Sequence, residues 1–78
     1  MDARSSWRDL LAEIIREREA HERLAQQIGV NPVTITHWTQ EASIPRPESL
    51  IRLLHAVPTT YANRLRILLA QDFPNLDL

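Results

Sequence analysis

Seventy-eight residues, 44% of them hydrophobic, suffice for one small domain with one modest core. Nine basic residues, all arginine, stand against ten acidic ones for a net charge of -1. Any affinity for nucleic acid must therefore come from arginines clustered on one face, and tight binding by a lone copy is disfavoured. The lack of cysteine excludes a disulfide framework and a thiolate metal site, and a single glycine excludes a P-loop or a dinucleotide fingerprint.

His21, His37 and His55 are too scattered to form a metal set. No apolar run approaches membrane-spanning length and no signal-peptide pattern opens the chain, so the expected location is the cytoplasm. No cofactor is expected.

Met1 to Ser5 reads as a frayed end. Ser6 is placed to cap a first helix, with Asp9 three residues on at the helix's positive end. Trp7, Leu10, Leu11, Ile14 and Ile15 follow the spacing of one buried face. Arg8, Glu13, Arg16 and Glu17 then point outward as a solvated, charged surface. Arg18 to His21 is expected to turn the chain into a second helix, from about Ala20 to Ile28. Nothing there breaks a helix, because Arg18, Glu19 and Ala20 all tolerate one.

Leu24, Ala25 and Ile28 form the apolar stripe of that second helix. Gly29 ends it, since glycine reaches positive φ without steric cost. Val30 fills the corner. Asn31 can cap a third helix, about Pro32 to Gln40, with Pro32 in its first turn where a missing N–H is harmless. Ile35 and Trp38 point back at the second helix. Val33, Thr36, His37 and Gln40 remain on the outside.

Two prolines in EASIPRP, from Glu41 to Pro47, mark a loop and the start of a fourth helix, about Glu48 to Ala56. Leu50, Leu53, Leu54 and Val57 form its stripe, and Pro58 ends it. Thr59 or Thr60 is expected to cap a fifth helix from about Tyr61 to Asp72, which Phe73 and Pro74 stop. Leu65, Leu68 and Leu69 can cover the first and fourth helices. Ile67, Phe73, Leu76 and Leu78 cannot all face the same way.

The stretch from Leu24 to Trp38, LAQQIGVNPVTITHW, resembles the helix-turn-helix of the phage repressor and Cro class (xenobiotic response element type) of transcriptional regulators. The pattern there is roughly L-A-x-x-x-G-V-[ST]-x-x-T-[IV]-[ST]-x-W. Leu24, Ala25, Gly29, Val30, Thr34, Ile35, Thr36 and Trp38 fall on it, and Asn31 stands in for the usual Ser. Pro45 and Leu50 continue the match, which covers about residues 7 to 57. The chain departs from it at Glu41, where Gly is usual, and at Thr39, where an acidic residue is usual. The third helix is therefore expected to end differently, up to one turn later.

The resemblance implies an all-α, lambda-repressor-like bundle of about five short helices. The whole of 1–78 is one domain, with a core of about 6–57 and a fifth helix and tail over 58–78. It implies double-stranded DNA as partner and transcriptional regulation as role. Val33, Thr36, His37 and Gln40 fall where the family's second motif helix meets base edges. There Val33 and the Thr36 methyl can meet a thymine methyl, and the Thr36 hydroxyl and His37 can hydrogen-bond to bases. Plain solvent exposure is the alternative, although no Arg, Lys, Asp or Glu occurs from Gly29 to Gln40. His21, at the start of the second helix, and Asn31 fall at phosphate-binding positions. Arg46 in the following loop suits the backbone as well, with Arg23 and Arg52 as weaker candidates. Leu24, Ala25, Gly29, Val30, Ile35 and Trp38 are structural.

A protein-interaction module reusing the fold is the alternative, favoured by the neutral charge. An enzyme has no carboxylate pair or nucleophile–base set to support it. The apolar surplus of the fifth helix and tail predicts a two-fold homodimer or docking onto a further domain of a longer regulator; the competing reading folds the tail back over the core of a monomer.

Overall fold

A computed structural model describes residues 6–40 and 42–76. Met1 to Ser5, Glu41 and Leu78, each part of an expectation above, lie outside the described residues. The fold is all-α: α1 (Trp7–Ile14), α2 (Arg18–Ile28), α3 (Pro32–Thr39), α4 (Pro47–Ala56) and α5 (Thr59–Asp72).

α1 opens on a reciprocal capping box. The Ser6 hydroxyl accepts from the Asp9 N–H, and the Ser6 N–H donates to the Asp9 carboxylate. Trp7, Leu10, Leu11 and Ile14 are buried, while Ile15 is half-buried at the C-cap. The turn into α2 falls at 15–17, not at Arg18 to His21, and α2 begins at Arg18 rather than Ala20. Helix-tolerant residues join α2 as soon as the chain has turned, so the break sits where α1 runs out of core to cover.

Gly29 ends α2 at φ 87°, with its N–H on the Ala25 carbonyl. Asn31 caps α3 by accepting from the Val33 N–H at 3.0 Å. α3 ends at Thr39, not a turn later. Gln40 and Ala42 donate their N–H groups back to carbonyls of the last turn, which closes the helix without a glycine. α4 runs one residue earlier than expected, on Pro47. α5 starts at Thr59 behind Pro58, and neither Thr59 nor Thr60 acts as its cap.

The core joins all five helices. Trp7, Leu10, Leu11, Leu24, Ala25, Ile28, Ile35, Trp38, Leu50, Leu53, Leu65 and Leu69 are all buried in it. α2 packs on α3 and α4, α1 on α3 and α5, and α4 on α5. The tail folds back. Phe73 stacks at a tilt on Trp7, with ring centroids 5.9 Å apart, and Phe73 and Leu76 both pack against the core. Of the described residues expected to form an apolar surplus, Ile67 alone is left open, at 60% exposure. Among the described residues, no helix is long and apolar enough to cross a membrane.

Candidate nucleic-acid interface

α3 is held between its neighbours by its inner face and by both ends. Ile35 and Trp38 are buried on α1 and α2, and Val30 packs beside them from the turn. Val33, His37 and Gln40 are exposed on the other face, Val33 at 56%, with Thr36 half-buried between them. Val33, Thr36 and His37 therefore share one side of α3, with Gln40 beside them at its C-cap. An α-helix with its side chains is about 10–12 Å across, which matches the roughly 12 Å width of a B-DNA major groove.

The polar residues expected to bind phosphate are placed unevenly. Asn31 is exposed and its side chain is engaged as the α3 cap. Arg46 is exposed at the N-cap of α4. No side-chain cap covers that terminus, but its first residue, Pro47, carries no N–H and its first turn bears the acidic Glu48; Arg46 lines a shallow cleft together with Thr34 and Trp38 of α3. His21 is not at a helix start. It lies inside α2, and its Nε2 reaches the Pro32 carbonyl at 2.7 Å. The Thr36 hydroxyl lies 3.5 Å from the same nitrogen. His21 thus ties α2 to the first turn of α3. Arg23 is exposed on α2.

Two arginines do work that sequence reading missed. Arg8, expected on a solvated face, packs its guanidinium over Trp7, 4.5 Å from the ring centroid, and donates to the Trp38 carbonyl in the last turn of α3. A second, longer contact reaches the Ser43 carbonyl at 3.5 Å. Arg52 donates to the Ile28 carbonyl, the last of α2, at 3.2 Å. Helices end with unpaired carbonyls that need donors. The lack of a basic residue in the last turn of α2 and of a glycine after α3 signals that need, but not which distant side chain meets it.

A separate groove of about 430 Å³ opens between the loop after α3 and the tail, lined by Ile44, Pro45, Leu50, Phe73 and Leu76 among others. Ile44 at its rim is 69% exposed. Among the described residues, no His, Asp and Glu are grouped to hold a metal ion.

Comparison of the chain with family models, with curated proteins and with solved structures finds no match in any of the three.

Proposed function

We propose that this chain is a cytoplasmic, non-enzymatic transcriptional regulator that binds double-stranded DNA through a helix-turn-helix made of α2 and α3. The observation that carries the reading is the uncharged outer face of α3, a groove-sized helix with Val33, Thr36 and His37 on one side, Gln40 at its C-cap and rigid support at both ends. α3 enters the major groove, and its four outer residues meet base edges. Arg46 supplies backbone contact, with Asn31 at the head of α3. Arg8 and Arg52 hold the helix ends and are not free for phosphate. With a net charge of -1 one copy has little overall electrostatic affinity, so two copies on a palindrome supply together what one cannot.

A second reading has one observation in its favour. An uncharged α3 near an exposed Ile44 also suits a protein partner. A salt titration of binding to duplex DNA separates the two, because phosphate contact gives affinity that falls steeply with salt. Arg46→Ala is expected to weaken binding to all sequences about equally and to flatten the salt slope by roughly one unit. Thr36→Ala and His37→Ala are expected to weaken the best site more than random DNA. Site preference untouched by His37→Ala would remove its base-reading role.

A further inference from the structure

Val33 and Thr36 are neighbours on α3, three positions apart. Both are β-branched, and Val33 is exposed. The Thr36 hydroxyl, by contrast, has partners inside the protein. Its Oγ1 lies 3.4 Å from the Pro32 carbonyl one turn back, and 3.5 Å from His21 Nε2. That nitrogen is itself 2.7 Å from the Pro32 carbonyl. A carbonyl only accepts, so Nε2 carries a proton there. That proton goes to Pro32, so the imidazole and the Thr36 hydroxyl are two donors on one carbonyl, packed against each other at 3.5 Å. A threonine Cβ bears two heavy atoms in staggered positions. With Oγ1 held against the helix's own backbone, the atom left for a ligand is the methyl.

We infer that α3 reads the C5-methyl group of a pyrimidine with an apolar pair, Val33 and the Thr36 methyl, and that His21 is the positioning residue that keeps the Thr36 hydroxyl on Pro32. The inference rests on the proposed DNA-reading role of α3. In the major groove the C5-methyl is the one apolar mark on a base edge. Thymine carries it in unmodified DNA, and 5-methylcytosine carries it in methylated DNA. Burying one methyl corresponds to roughly four-fold in affinity.

The test uses the full chain and the duplex enriched by selection from random DNA, with binding read by fluorescence anisotropy. Each thymine is replaced in turn by deoxyuracil, which removes only the methyl. At one thymine the wild-type chain is expected to bind about four-fold more weakly. Thr36→Val keeps that ratio, whereas Thr36→Ser lowers it to the part that Val33 supplies. His21→Ala also lowers the ratio, and His21→Gln, which retains an N–H donor, restores it. Placing 5-methylcytosine or cytosine at the same step tells the two sources apart. Tighter binding of the methylated base extends the reading to methylated DNA, and equal binding confines it to thymine.

The inference is overturned if no thymine is sensitive to uracil, or if Thr36→Ser keeps the ratio while Thr36→Val loses it. An unchanged ratio in His21→Ala removes the role given to His21. An enriched site indifferent to uracil sinks this inference alone, whereas a selection that enriches nothing sinks the DNA-reading proposal and this inference together.

Discussion

Gly29 carries the turn between α2 and α3 because its φ of 87° is open to glycine and costly for residues with a Cβ. A Cβ added there meets nothing closer than Arg52 Nη1 at 3.7 Å, an ordinary contact. The penalty for Gly29→Ala is therefore backbone strain alone, about 1–2 kcal/mol. Urea denaturation measures it, and a neutral result would mean that the turn relaxes to another geometry. Trp38 is 3% exposed, and Trp38→Ala is expected to cost about 3–5 kcal/mol, a large share of the stability of a small domain. A melting curve close to that of the wild type would show that α3 presents a different face to the core.

At the scale of the element, α3 is positioned by side chains from its neighbours. Arg8 comes from α1 to its last turn, and His21 from α2 to its first. Arg8→Ala removes a charge-assisted hydrogen bond and the stack on Trp7, with an expected loss of about 1–2 kcal/mol at this half-buried site. Arg8→Lys restores little, because an ammonium lacks the flat face and the fork of a guanidinium. Equal stability of Arg8→Ala and the wild type would reduce these contacts to incidental ones.

The same elements divide what the sequence reveals from what it hides. The ends of α2 and α4 and the start of α3 are legible because Gly29, Pro32 and Pro58 act on the backbone locally. The outward set Val33, His37 and Gln40 follows from helical period. The start of α2 is not legible, because Arg18, Glu19 and Ala20 suit a helix as well as a turn. The partners of Arg8 and His21 are not legible either. They lie 30 and 11 residues away, and only the packed bundle brings them near. Phe73 reads as a stop signal after α5, yet most of its consequence is the contact with Trp7, 66 positions earlier by the numbering.

For the whole molecule, dimensions bear on pairing. The described residues span 30 × 28 × 26 Å. Recognition helices of a dimer on successive major grooves sit about 34 Å apart. Two copies of this size fit side by side on one face of a duplex. Because Phe73 and Leu76 are spent on the protein's own core, the described tail offers little apolar area for pairing in free solution. Sedimentation at micromolar concentration is therefore expected to give a monomer without DNA and two copies on a palindromic site. A DNA-free dimer abolished by Ile67→Ser would place the pairing on α5 instead.

The proposed reading of DNA sequence by the outer face of α3 is tested by selection of binding sites from a random duplex library, run in parallel with the wild-type chain and a Val33→Glu, His37→Glu double variant. A short enriched motif is expected for the wild type and none for the variant, with both chains equally stable in urea. A library that comes through unenriched with the wild type, or the same motif enriched by both chains, would contradict it.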